Sequence, residues 1–163
     1  MNFKYLLLVS YILLSAILGC KNPEYPLTIP NFSMTLPGSN NVFHSKDIPF
    51  GKTSVIIWFD PACRDCQEET EYILANMDKF AAVDFYLVTK YSYQDMMVFH
   101  DHLRLDTCRN ITIGIDTTRA IPKHFKIRST PLTVVLNNDK IVREVFSGKP
   151  DMQKFTTIVN HKL

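Results

Sequence analysis

Continuous apolar runs alternate along the chain with segments whose apolar residues recur at helical spacing. The apolar runs are typical of strands covered on both faces, and they span residues 54–59, 83–88 and 111–116. Segments with helical spacing follow, at residues 91–105, 117–126 and 151–163. Because the two kinds of segment alternate, the pattern predicts the α/β class, with a central mixed sheet flanked by helices.

Two further segments have the pattern of hairpins. Residues 31–45 predict two short strands around the turn residues 37–41, and residues 131–146 predict two strands joined at 137–140. The first is an N-terminal β-hairpin. The second adds antiparallel pairing to a sheet whose crossovers make it otherwise parallel.

A further helix is predicted directly behind the 54–59 strand. Cys66, Ile73, Met77 and Phe80 follow one another at steps of seven, four and three residues, which places them on one helical face. Cys66 is therefore predicted to point inward, toward the core.

The start of this helix is predicted from the residues before the cysteines. Asp60 suits the N-cap and Pro61 the first helical position, where a missing N–H costs nothing. Cys63 then lies in the first turn, where unpaired N–H groups and the helix dipole favour a thiolate. Arg64 adds a positive charge that also favours the thiolate, whereas Asp60 and Asp65 oppose it. The sequence therefore leaves open whether these charges together favour the thiolate or the thiol of Cys63.

The first residues have the layout of a secretory signal. Lys4 precedes a long apolar run, and Ile17-Leu18-Gly19-Cys20 resembles the lipobox of bacterial lipoproteins. A retained transmembrane helix is the alternative, but the apolar run is shorter than the ~20 residues that a span requires.

The lipobox resemblance implies three segments. Residues 1–19 are a lipoprotein signal peptide, and residues 20–31 are the lipidated Cys20 and a proline-containing tether. Residues 32–163 are the folded domain, which one core of this size can hold together. The mature protein is then expected to be exported and lipid-anchored to a bacterial membrane, facing the periplasm.

Charge excludes one class of partner. The net charge is +2, and the basic residues are scattered along the sequence instead of forming a stripe. We therefore expect no nucleic-acid binding.

Three cysteines remain after Cys20, namely Cys63, Cys66 and Cys108. Outside the cytoplasm disulfides form and persist, so an odd number leaves at least one thiol without an intramolecular partner. Cys108 lies between a predicted helix and a predicted strand, and we interpret it as a buried apolar residue.

The spacing of Cys63 and Cys66 leaves three uses open. On a helix the two Cβ atoms lie about 5–6 Å apart, close enough for a disulfide after a small adjustment. A redox couple uses this spacing for attack and resolution. A structural disulfide closing so short a loop stabilises little, and a metal site needs about four ligands, whereas the sequence has no second C-x-x-C or H-x-x-x-H pair.

The position of C-x-x-C between a buried strand and a helix resembles the thioredoxin fold. The later segment IDTTRAIPKHFKIRSTPLTVVLNNDKIV is similar to the second half of thioredoxins, where a helix leads into a strand hairpin. The resemblance implies that Cys63 is the nucleophile and Cys66 the resolving cysteine. It places Pro131 at the family's cis-proline and implies that the backbone at Thr130 and Pro131 binds the substrate chain. No cofactor is implied beyond the Cys63–Cys66 disulfide, and no metal.

The segment IPNFSMTLPGSNNVFHSKDIPFGKTSVIIWF resembles the N-terminal hairpin of the membrane-anchored TlpA-like and ResA-like branch. The inserted strand and helix before Pro131 do so too. Many members of that branch carry a glutamate at the position of Glu69, where a carboxylate can exchange a proton with the resolving thiol. The implied function is disulfide exchange with protein thiols or disulfides, supported by a membrane or extracytoplasmic redox partner.

Four positions depart from thioredoxins. Ala62 replaces the usual tryptophan, Arg64-Asp65 replaces Gly-Pro, and Ile57 replaces the buried acid. These positions tune the reduction potential, so the direction of electron flow stays open. Two alternatives also stay open: a copper-delivery module using Cys63, Cys66 and His124, and a redox-inactive interaction module.

Overall fold

Seven β-strands form one mixed sheet in the computed structural model, which describes residues 25–38 and 41–161. The strands are β1 (Ser33–Thr35), β2 (Val42–His44), β3 (Thr53–Trp58), β4 (Val83–Thr89), β5 (Ile111–Ile115), β6 (Leu132–Leu136) and β7 (Val142–Ser147). They lie in the order β2-β1-β5-β4-β3-β6-β7. The central strands β3, β4 and β5 are parallel, and the outer pairs are antiparallel. The predicted mixed sheet is confirmed.

Four α-helices flank the sheet within the described ranges. They are α1 (Arg64–Ala75), α2 (Tyr93–His102), α3 (Ala120–Phe125) and α4 (Met152–Asn160). The helices are shorter than the apolar pattern predicted. In α2 the cause is local: Leu103 ends the helix and Arg104 takes a left-handed backbone conformation, which a continuing helix cannot contain.

The sheet is covered on both faces because successive side chains of β3 point to opposite sides. Val55 and Ile57 join Cys66 in the core beneath α1, α2 and α4. Ile56 and Trp58 belong to a second core, to which α3 contributes its buried side chains. The sheet therefore carries α1 on one face and α3 on the other.

The predicted signal peptide and Cys20 lie outside the described residues. From Tyr25 onward the chain runs along the domain, where Leu27 accepts a hydrogen bond from the Val142 N–H at 2.8 Å. Thr28 places its carbonyl 2.7 Å from Nε2 of His124. No helix in the described part of the chain is both long and apolar enough to span a bilayer.

Gly114 allows β1 to pack against β5. A Cβ at this position would lie 2.9 Å from Met34 Cγ and 2.9 Å from the carbonyl oxygen of Thr35. Both distances are shorter than ordinary contacts, and the second partner is backbone, which cannot move without disturbing the β1–β5 pairing at Thr35 and Ile115.

We expect Gly114→Ala to lower the free energy of unfolding by about 1–3 kcal/mol, the usual cost of overpacking a core. Urea denaturation of the two proteins measures it. Thr112→Ala, in the same strand, controls for placing alanine in β5. A Gly114→Ala protein as stable as the unsubstituted chain would contradict the packing argument.

Candidate active site

The turn after β3 sets the position of the first cysteine. Asp60 was predicted to cap the helix, and that prediction is wrong: α1 begins at Arg64, and Cys63 itself occupies the N-cap position with extended backbone. The Asp60 carboxylate instead accepts the N–H of Ala62 at 2.9 Å and the hydroxyl hydrogen of Tyr91. Its backbone carbonyl accepts the N–H of Cys63 at 3.0 Å, which closes a turn before the helix starts.

The Cys63 thiol lies at the surface beside the predicted substrate-binding segment. The side chain is half-buried, and its Sγ donates to the carbonyl oxygen of Thr130 at 3.6 Å. The Thr130–Pro131 peptide bond is cis, and Pro131 is buried. The structure therefore brings Cys63, Thr130 and Pro131 together although they are far apart in sequence.

Cys66 lies one helical turn deeper and is completely buried. Burial strongly raises the pKa of the Cys66 thiol, and the neighbouring Cys63 raises it further. Asp60, through its backbone, and the Thr130 side chain act in the opposite direction with smaller effect. Both cysteines are free thiols in this structure. The pair thus combines one accessible sulfur with one that holds its proton and is shielded from solvent.

Glu69 lies on the same face of α1 as Cys66 and is also fully buried. Its Oε1 accepts the hydroxyl hydrogen of Thr133 at 2.7 Å, whereas its Oε2 has no hydrogen-bond partner among the described residues. Desolvation raises the pKa of Glu69 to about 8, against smaller opposing effects of Thr133 and Lys149. A carboxyl group of this kind can hold or release a proton near neutral pH.

The loop after β7 closes the site from the other side. The N–H of Gly148 donates to the carbonyl oxygen of Pro131 at 2.8 Å. The ammonium of the next residue, Lys149, forms an ion pair with the carboxylate of Glu68. Oε1 of the same carboxylate lies 2.7 Å from Nε of Arg64. The loop therefore fixes the backbone at Pro131 and keeps the Glu68 carboxylate in ion pairs at the surface.

Two residues at this site were missed from sequence. Tyr91 follows β4 and bonds to Asp60, and this bond raises the pKa of Tyr91. Thr133 is the partner of Glu69 and belongs to β6, whose residues are all buried. A signal for Thr133 was available, since a hydroxyl inside a buried apolar strand requires a hydrogen-bond partner. Nothing in the sequence pattern signalled Tyr91, because only the sheet order brings its loop beside the end of β3.

Two other candidate residues lie elsewhere. Cys108 is half-buried, not buried as predicted, and contacts the hydroxyl of Thr107 at 3.8 Å. His124 is held by the carbonyl of Thr28. Among residues 25–38 and 41–161, no group of three or more His, Cys, Asp or Glu side chains is placed to hold a metal ion.

No protein-family model matches the chain, and no curated protein matches it. Several solved structures match the chain. The structure of DsbF from Mycobacterium tuberculosis, in mixed oxidised and reduced forms, superimposes with a TM-score of 0.66 at 21% identity, covering 81% of this chain and 97% of that one.

Two further matches have similar statistics. A secreted M. tuberculosis disulfide oxidoreductase homologous to E. coli DsbE has a TM-score of 0.65 at 18% identity, covering 78% of this chain and 93% of that one. The thioredoxin domain of a thiol-disulfide oxidoreductase from Bacteroides vulgatus has a TM-score of 0.66 at 15% identity, covering 82% and 96%. The chain therefore has the thioredoxin-like fold that these oxidoreductases share.

Proposed function

We propose that the protein is a thiol-disulfide oxidoreductase that exchanges disulfides with other proteins through Cys63 and Cys66. The observation that carries this proposal is the pairing of a half-buried Cys63 at the N-cap of α1 with a fully buried Cys66 one turn deeper. A structural disulfide does not need one accessible sulfur, and a metal site needs more ligands than the described residues supply here.

The chemistry follows from the different exposure of the two sulfurs. The Cys63 thiolate attacks one sulfur of a substrate disulfide, a mixed disulfide forms, and the other substrate sulfur leaves as a thiolate. Cys66 then loses its proton and attacks the Cys63 sulfur, which expels the second substrate thiolate and leaves a Cys63–Cys66 disulfide. Two electrons pass to the substrate. The same steps in reverse oxidise a substrate dithiol.

Glu69 is proposed to accept the proton that Cys66 loses, and to return it when the disulfide is reduced. The two side chains are three residues apart on one helix face, and both are shielded from solvent. Because Oε2 of Glu69 has no hydrogen-bond partner in the described part of the chain, one oxygen of the carboxyl group is free for this exchange.

The segment at Thr130 and Pro131 is proposed to bind the substrate chain. Its position supports this role, because the Thr130 carbonyl lies against the Cys63 sulfur and the Pro131 carbonyl is fixed by Gly148. A substrate backbone placed there brings its disulfide within reach of Cys63.

We also propose that a lipid on Cys20 holds the domain at a membrane outside the cytoplasm, where a membrane or extracytoplasmic redox partner resets the dithiol. The lipobox-like sequence before Cys20 supports this proposal. So does the disulfide chemistry, since protein disulfides persist outside the cytoplasm.

The first test is trapping. In a Cys66→Ser protein the resolving thiol is gone, so mixed disulfides between Cys63 and substrates should accumulate on non-reducing gels. Adding Cys63→Ser should abolish them. Cys108→Ser, which removes the third thiol, is the matched control and should leave trapping unchanged. Adducts that depend on Cys108 and persist without Cys63 would refute the proposal.

The second test is the pH dependence of resolution. Glu69 accepts a proton only when ionised, so release of substrate from the mixed disulfide should accelerate as pH rises through about 8. Glu69→Gln should slow this step by about 10²-fold and remove the Glu69-dependent part of the acceleration. Stopped-flow measurement of substrate-thiol release checks it. Glu71→Gln, an exposed position on the same helix, is the control and should behave as the unsubstituted chain.

Stability gives an independent measure of the buried carboxyl group. The pKa of Glu69 rises on folding from 4.5 to about 8, so between these pH values the folded state binds the extra proton. The free energy of unfolding therefore contains a contribution that falls as pH rises through this window and has been lost above it. Urea denaturation across that pH range should show the fall, and Glu69→Gln should remove it. If the free energy of unfolding depends on pH in the same way in both proteins, Glu69 is already ionised in the folded state across this range.

The third test concerns the anchor. Cys20→Ala removes the proposed lipid attachment site, so the protein should move from the membrane fraction to the soluble fraction after cell breakage. A Cys108→Ala protein should stay in the membrane fraction. Retention of the Cys20→Ala protein at the membrane would contradict lipid anchoring at Cys20.

A further inference from the structure

A basic groove lies beside α3, on the face of the sheet opposite to α1. It has a volume of about 590 Å³. Trp58 lines it together with the basic residues Arg119, Lys123, Lys126 and Arg128. None of the described residues that line it is acidic.

The groove adjoins the proposed substrate-binding segment. Trp58 pairs across the sheet with Leu132, the residue after Pro131. At the other end of the same segment, Arg128 precedes Thr130 by two residues. The groove residues Trp58 and Arg128 thus border the two ends of the segment at which the substrate chain is proposed to bind.

The positive charges in the groove are not neutralised within the described part of the protein. Arg119, Lys126 and Arg128 are exposed and form no ion pair or side-chain hydrogen bond there. Lys123 donates to the carbonyl oxygen of Thr118 at 2.7 Å, which leaves its charge uncompensated.

Two nearby carboxylates are engaged elsewhere. Asp116 is buried and accepts hydrogen bonds from the Thr118 N–H at 2.7 Å and the Ala120 N–H at 3.2 Å. Asp60 accepts the hydroxyl hydrogen of Tyr91. Neither carboxylate lines the groove, and the four charged side chains that do are all basic, so the groove wall itself carries positive charge.

Two of the basic residues occupy unfavourable backbone positions. Arg119 and Lys126 flank α3 with φ angles of 58° and 56°. Glycine or asparagine adopts this left-handed conformation at lower cost, and glycine is the commonest residue after a helix. Long cationic side chains are thus present at two positions where the backbone favours other residues.

We propose that this groove binds an acidic segment of the protein substrate, whose disulfide exchanges with Cys63. The proposal rests on the proposed function and names a feature of its substrate. Arginine and lysine side chains without partners match aspartate and glutamate carboxylates, and arginine binds them with two parallel hydrogen bonds. Because Trp58 and Arg128 border the Thr130–Pro131 segment, one substrate chain can contact both places.

Binding is tested first, without redox chemistry. The probes are two cysteine-free peptides that are identical except that one carries a run of glutamates and the other a run of glutamines. Trp58 is the only tryptophan in the sequence, so its fluorescence reports on the groove. The glutamate peptide should bind to the full-length protein and change this fluorescence, the glutamine peptide should not, and added salt should weaken binding.

Two double variants separate the groove from net charge. Lys126→Gln with Arg128→Gln should weaken binding of the glutamate peptide by about three- to tenfold, as expected for two surface charge pairs. Arg104→Gln with Arg109→Gln removes the same charge from exposed residues before β5 and should bind as the unsubstituted protein does. Equal weakening in both double variants would overturn the proposal.

Exchange is tested with versions of both peptides that carry one disulfide. The unsubstituted protein should prefer the glutamate peptide, measured as the ratio of the two kcat/KM values. In Lys126→Gln with Arg128→Gln this ratio should fall toward one. If the double variant exchanges both peptides with the same kcat/KM ratio as the unsubstituted protein, the groove proposal is wrong and the proposed function stands. If the glutamate peptide binds but neither peptide exchanges, the proposed function fails and the substrate assignment fails with it.

An anionic membrane surface is the competing occupant. Phosphatidylglycerol vesicles, with phosphatidylcholine vesicles as control, test it by sedimentation. Vesicle binding that requires Lys126 and Arg128, in the absence of binding to the glutamate peptide, would assign the groove to lipid and overturn the proposal.

Discussion

The point at which α1 begins determines how the two cysteines differ. A helix that started at Pro61 would place Cys63 inside its first turn. The Asp60 carboxylate instead bonds to the Ala62 N–H and the Tyr91 hydroxyl, so the chain turns once more before the helix starts. Cys63 then lies at the N-terminus of α1 beside Thr130, and Cys66 packs into the core. The proposed chemistry requires Cys63 to be accessible to the substrate and Cys66 to be shielded until it resolves the mixed disulfide. This turn produces that difference.

The buried carboxyl group of Glu69 has a cost that packing alone does not justify. A rise of its pKa from 4.5 to about 8 means that the ionised form is disfavoured by roughly 5 kcal/mol relative to water. The hydrogen bond from Thr133 offsets only part of this, and Oε2 has no partner in the described part of the chain. An apolar residue would stabilise this core more. The proposed proton exchange with Cys66 gives this buried carboxyl group a function that packing does not.

Features that depend on local pattern were predictable from the sequence. The apolar run at β3, the inward position of Cys66 and the hairpin of β6 and β7 each follow from spacing within a short segment. The start of α1 was mispredicted, because Asp60 suits both an N-cap and a turn, and the choice depends on Tyr91, which is distant in sequence. The basic groove was missed for a similar reason. Its four basic residues lie within residues 119–128, but only the folding of α3 against the sheet places them beside Trp58, which is distant in sequence.

The two proposed sites lie on opposite faces of the sheet. The α1 face holds the dithiol and Glu69 in a core where any change in packing alters the thiol environment. The α3 face carries the exposed basic side chains of the groove, and Trp58 of that groove pairs across the sheet with Leu132. Charges exposed to solvent are replaced at little cost to stability, whereas core residues are not. The proposed substrate preference can therefore change on the α3 face at little cost to the core that holds Cys66 on the α1 face.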